Sequence, residues 1–163
     1  RYPDLILTNQ PDANNISTEI ILEGVQSILS NSPEEYIKYF EEGDIITLHG
    51  YLKILPPETC KTFTIYNGHP ALLTVYPDLK GKDPQQKAFE AKHTMIGSVI
   101  HRCTEVLDAG PICVERRTSI KEDSSSEDYY IALKKTSLES WLVFFKEYTT
   151  MKITQQATAT KEQ

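Results

Sequence analysis

A strand-like run that ends on a proline restricts this chain more than any other feature: Phe63-Thr64-Ile65-Tyr66, followed by Asn67-Gly68-His69-Pro70. The run is aromatic and β-branched, the composition of a strand. Strand side chains alternate between faces, so Asn67 and His69 project to the same side as the strand ends. Pro70 offers no ladder donor, and pairing stops there. Further along, Leu107-Asp108-Ala109-Gly110-Pro111 puts a lone carboxylate immediately before an Ala-Gly-Pro turn, where the backbone leaves another strand. An amide, an imidazole and a carboxylate gathered by turns are the groups needed to move an acyl unit onto an amine.

The rest of the chain alternates strand and helix signals. Leu5-Ile6-Leu7 lies in a continuous apolar run closed by Asn9-Gln10-Pro11-Asp12, as in a strand covered on both faces. Residues 16–30 fit either a helical stripe through Ile20, Ile21, Leu22, Val25 and Leu29 or a strand over residues 20–22. Ser32-Pro33-Glu34-Glu35 is a helix start, with a serine cap, proline at the first position and acids in the first turn. Tyr36, Ile37, Tyr39 and Phe40 would be its inward stripe and Gly43 its stop. Residues 45–48, 62–66, 99–103 and 112–116 read as further strands, with Pro56-Pro57 as breakers and a helix over 84–92 that turns Ala88 and Phe89 inward. Ser126-Glu127-Asp128 opens a long helix to about Tyr148, whose apolar face would be Ile131, Leu133, Leu138, Trp141, Leu142 and Phe145. Residues 151–163 form a polar, low-complexity tail expected to be disordered. Such alternation implies a three-layer α/β domain over residues 1–150, a mainly parallel sheet with flanking helices, and ligands at the carboxyl ends of strands.

Composition narrows the function classes. The 163 residues suffice for one such domain, and a formal net charge of −6 argues against a broad nucleic-acid footprint. No apolar run approaches the roughly 18 residues of a membrane span. The three cysteines (Cys60, Cys103, Cys113) form no CxxC pair and the four histidines show no HxxxH spacing, so no metal site is expected. The cysteines read as reduced thiols of a cytoplasmic protein.

At these motifs the chain resembles the folate-dependent formyltransferase family, collinearly from about Asp4 to Tyr148. Residues 44–56 (DIITLHGYLKILP) resemble the family's strand, glycine and folate-loop segment. Residues 64–73 (TIYNGHPALL) resemble its Asn-x-His-Pro segment, and residues 97–112 (GSVIHRCTEVLDAGPI) its Gly…His…Leu-Asp-x-Gly-Pro signature. The resemblance implies a Rossmann-like, formyltransferase-type sheet. It implies a catalytic trio of Asn67, His69 and Asp108, with His101 packed beside the aspartate in support. It further implies a pterin pocket lined by Lys53, Ile54 and Leu55 and by Thr104, Glu105, Val106, Leu107 and Asp108. Gly68, Ala71, Thr74-Val75, Val99 and Arg102 depart from the usual residues, and the family's first strand and glycine-rich phosphate turn are expected upstream of Arg1.

The implied function is transfer of a formyl group from 10-formyltetrahydrofolate to a primary amine of a small acceptor, as in purine biosynthesis. Asn67 and a donor-bearing His69 would steady a tetrahedral oxyanion, and Asp108, its pKa raised by burial beside Val106 and Leu107, would shuttle the proton. The alternatives are 10-formyltetrahydrofolate hydrolysis and a catalytically inactive binding module of the same fold. Taken singly, Asn67 is also a plain strand cap, His69 a satisfied core polar group and Asp108 an Asx-turn residue. Lys80, Lys82 and Lys87 either attract an anionic tail or form a solvated face.

Overall fold

The computed structural model describes residues 5–8, 26–29 and 32–161. The turn expected at 9–12 and the ambiguous stretch 16–25 lie outside the described residues. The chain divides into two compact units, residues 1–44 and 45–163.

In the first unit, strand β1 (Leu5–Thr8) pairs in parallel with β2 (Gln26–Leu29), from Leu5 opposite Gln26 to Thr8 opposite Leu29. Helix α1 (Pro33–Ile37) begins as its letters require: the Ser32 side chain accepts the Glu35 N–H at 3.2 Å, and proline takes the first turn. It is shorter than expected, so Tyr36 is buried while Tyr39, beyond the last turn, is exposed.

The second unit is a mixed four-stranded sheet of β3 (Ile45–Leu48), β4 (Thr64–His69), β5 (Met95–Arg102) and β6 (Ile112–Ser119), in that order. β3 and β4 run parallel, joined by the short helix α2 (Pro57–Thr62). Pro57, read as a breaker, instead occupies the helix's first turn, where its missing N–H costs nothing. β4–β5 and β5–β6 are antiparallel, so the sheet is mixed where a mainly parallel one was expected. An apolar run reports which faces are covered and not the direction of its neighbours. β5 is buried without interruption from Ile96 to His101, the signature of a strand paired on both sides and covered on both faces.

Helices flank this sheet: α3 (Pro84–Glu90), which buries Ala88, and α4 (Ser126–Lys161). α4 does not turn the expected face inward. Leu133 and Trp141 are buried, but Ile131, Leu138, Leu142 and Phe145 are exposed, and the buried row is Tyr129, Leu133, Thr136, Ser140 and Phe144. The two hydroxyls are small and self-satisfying: Thr136 donates to the Leu133 carbonyl at 3.0 Å and Ser140 to the Thr136 carbonyl at 2.9 Å. Ser140 also lies 2.8 Å from Ser98 of β5, so the helix approaches the sheet closely along a polar seam. α4 also continues to Lys161, past the point where a disordered tail was expected.

Candidate active site

Register assembles the site. Asn67 of β4 lies opposite His101 of β5 and His69 opposite Val99, so Asn67, His69 and His101 share one face of the sheet. Asp108 comes from the β5–β6 connection with a left-handed φ of 50°, a conformation that aspartate tolerates better than most residues. Its carboxylate sits between the imidazoles: Oδ1 is 3.3 Å from His101 Nε2 and Oδ2 is 3.6 Å from His69 Nδ1. His69, His101 and Asp108 are all buried, and Asn67 is half-buried.

Two backbone groups that no motif announces complete the array. The Leu79 carbonyl accepts a hydrogen bond from His69 Nε2 at 2.8 Å, and the Gly81 N–H donates to Asp108 Oδ2 at 2.9 Å. Leu79 ends the short 3-10 helix Pro77–Leu79 and Gly81 lies in the turn after it, where a φ of 80° calls for glycine. The only hint in the sequence was the glycine in Lys80-Gly81-Lys82.

The electrostatics correct one expectation. Burial alone would raise the Asp108 carboxyl, but the His101 contact, the Gly81 N–H and the nearby imidazoles hold it below its ordinary value. Val106 and Leu107, expected to bury it, are exposed. Burial lowers His69, outweighing the Leu79 carbonyl and Asp108, which favour its proton. Burial, with Cys60 and Asp108 nearby, pushes the Cys103 thiol up to about 12, leaving it an inert neutral thiol at physiological pH.

The expected pterin-lining residues divide in two. Leu55 is buried, whereas Lys53 and Ile54 are exposed, as are Thr104, Glu105, Val106 and Leu107. Lys61 of α2 is 2.8 Å from Glu105, tying the helix that follows the first loop to the second loop. A cavity of about 280 Å³ lies elsewhere, lined by residues such as Phe89, Glu122 and Tyr129, and touches none of these groups. Among the described residues, no cluster of histidine, cysteine or carboxylate side chains is placed to hold a metal ion, and no helix is long and apolar enough to cross a membrane.

The pattern that defines the Formyl transferase family matches residues 8–143. The chain belongs to the formyl transferase family. It is 31% identical over 108 residues to a phosphoribosylglycinamide formyltransferase of Haemophilus influenzae, covering 65% of this chain and 50% of that protein. A methionyl-tRNA formyltransferase of Thermosipho africanus is 30% identical over 105 residues (64% and 34%). A mitochondrial formyltetrahydrofolate deformylase 2 of Arabidopsis thaliana is 35% identical over 81 residues (48% and 24%). The chain thus spans half or less of the length of these relatives. In fold it is similar to the crystal structure of a phosphoribosylglycinamide formyltransferase from Streptococcus pneumoniae, with a TM-score of 0.71 at 22% identity over 90% of this chain and 86% of that one.

Proposed function

We propose that this formyl transferase family member uses Asn67, His69 and Asp108 to move a formyl group from 10-formyltetrahydrofolate to the primary amine of a small acceptor, such as glycinamide ribonucleotide or an amino sugar nucleotide. The observation that carries this reading is the convergence of an amide, two imidazoles and a carboxylate on one sheet face, with Asp108 within 3.6 Å of His69.

10-Formyltetrahydrofolate supplies the activated formyl carbon; the chain's own groups handle charge and protons. Attack by an amine builds negative charge on the formyl oxygen, which fixed donors must meet, and removing one such donor typically costs about 10²–10³ in rate. Asn67 brings its amide N–H. His69 already spends its Nε2 hydrogen on the Leu79 carbonyl, so a donor from this ring toward the reacting atoms requires a second proton, on Nδ1. Asp108, ionised because its partners hold its carboxyl low, accepts the proton that the attacking nitrogen must lose. Exposed apolar side chains fit a flat bicyclic ring: Ile54 is 71% exposed and Val106 65%. In this reading they, with Lys53, Leu55, Thr104, Glu105 and Leu107, hold the folate.

Hydrolysis of the same donor is the second reading, favoured by the likeness to the Arabidopsis deformylase. Water then replaces the amine at the same three side chains. The net charge of −6 favours a small acceptor over a nucleic acid, and the free thiols favour the cytoplasm.

Thermal unfolding with a 10-formyl-folate analogue tests the binding. A ligand at about 100 times its dissociation constant adds about 2.7 kcal/mol, and no shift would leave only a non-catalytic module of this fold. A single-turnover assay with and without amine then separates the chemistries. Formate released without amine means hydrolysis, and strict amine dependence means transfer.

A further inference from the structure

We propose that Glu115 of β6 is a positioning residue for the candidate site: through Thr74 it clamps the segment whose backbone orients His69 and Asp108. The inference rests on the function proposed above for its catalytic consequence; the clamp itself rests on geometry.

Register places the clamp. His69 of β4 lies opposite Val99 of β5, and Val99 lies opposite Glu115 of β6. Residues directly opposite share a face, so Glu115 stands on the face of His69, two strands and about 10 Å away. The Glu115 side chain is only 19% exposed, and both of its oxygens are engaged. Thr74 Oγ1 donates to Oε2, and Arg117 Nε, from the same strand and face, donates to Oε1. A hydroxyl held by a carboxylate is held more firmly than one on a neutral acceptor.

Thr74 lies in the stretch that leaves His69 and comes back to it. Pro70 follows the end of β4, and further along the Leu79 carbonyl meets His69 Nε2 at 2.8 Å. The Gly81 N–H then reaches Asp108 Oδ2 at 2.9 Å. One short segment therefore touches both side chains. Its apolar anchors, Ala71, Leu73 and Leu79, are buried in one cluster with Val99. Such burial is non-directional: it resists lifting of the segment but fixes neither its rotation nor its slide along the sheet. Thr74 and Val75 are exposed, and the bond from Thr74 to Glu115 ties this outer part to a paired strand in one direction. Tyr76 adds a second hold by stacking on His93, ring centroids 3.7 Å apart, which the variants below leave in place.

The test compares Thr74→Val, which keeps the shape and removes the hydroxyl, with Thr74→Ser, which keeps the hydroxyl. Hydrogen exchange is followed by NMR of the ¹⁵N-labelled full chain, without substrate, at the Gly81 amide and the His69 Nε2–H. Thr74→Val should lower the protection of both together, roughly tenfold, and Thr74→Ser should leave both unchanged. In steady-state formyl transfer, Thr74→Val should lower kcat roughly tenfold with KM within about twofold, because misplaced reacting groups cost rate more than binding. Should Thr74→Val fail to fold, Glu115→Ala against Glu115→Gln, whose amide oxygen still accepts, carries the same comparison. Unchanged protection in Thr74→Val overturns the proposal, as does an equal loss in Thr74→Ser or an unchanged kcat in an active enzyme. Exchange needs no turnover, so the paired loss of protection beside absent transfer in the unmodified protein overturns the proposed function alone. Unchanged protection beside intact transfer overturns this inference alone.

Discussion

The indole of Trp141 lies against Gly68, so close that a Cβ at position 68 would stand 2.8 Å from the indole Nε1. This contact leaves no room for a side chain at position 68. The strand that presents Asn67 and His69 on one face is backed on the other by a ring from α4, with His49 4.2 Å from the same indole. Gly68→Ala should therefore destabilise the chain by about 1–3 kcal/mol, the range for overpacking a filled site. Trp141→Leu removes the ring that a new methyl would strike, so the double variant should lose less than the sum of the single losses. Chemical denaturation of the three variants measures this coupling.

Gly81 joins conformation to chemistry. Its φ of 80° disfavours any side chain, and its N–H holds Asp108. Gly81→Ala should cost about 1–2 kcal/mol of stability from the left-handed strain. If Asp108 takes the amine's proton, the change should also lower kcat more than it raises KM, because the N–H it displaces holds that carboxylate. Steady-state kinetics beside thermal unfolding would separate the two effects.

The pH dependence of stability has a definite sign at Asp108. Its folded carboxyl titrates below the ordinary 3.8, so as the pH falls through that value the unfolded chain takes up the proton first. Its stabilisation is complete above 3.8 and is lost as the pH falls through the folded value. Denaturant titrations between about pH 5 and pH 3 should show stability falling, with a flatter fall in Asp108→Asn.

The exposed loops should separate binding from stability. Val106 is 65% exposed, so Val106→Ser should leave unfolding within about 0.5 kcal/mol. If Val106 covers the folate, the same change removes about 1.5 kcal/mol of apolar burial from the complex, roughly tenfold in Kd. Calorimetry with a folate analogue would measure it.

How much of this was legible in the letters follows from what letters encode. Period-two runs, Ser32-Pro33 and the turn at Gly110-Pro111 gave the strands, the capped helix and the order of the site motifs, because each is a local backbone preference. Strand direction was not legible, since β5 would read alike with parallel or antiparallel neighbours. The inward face of α4 was misread because Thr136 and Ser140 satisfy their hydroxyls along the helix and pack as small residues, while Ile131, Leu138 and Leu142 remain outside. Asn67, His69, His101 and Asp108 could be proposed from their side chains. The Leu79 carbonyl and the Gly81 N–H were missed because every residue carries a carbonyl and nearly every one an N–H. The Gly81 N–H is one of the contacts that lower the Asp108 carboxyl, after the His101 contact that lowers it most.

The most direct measurement is single-turnover formyl transfer by Asp108→Asn beside its affinity for a 10-formyl-folate analogue. The amide keeps the shape of the carboxylate and cannot take the amine's proton. Turnover should vanish while analogue binding stays nearly unchanged. Transfer at the unmodified rate in a folded, analogue-binding Asp108→Asn protein would contradict the account.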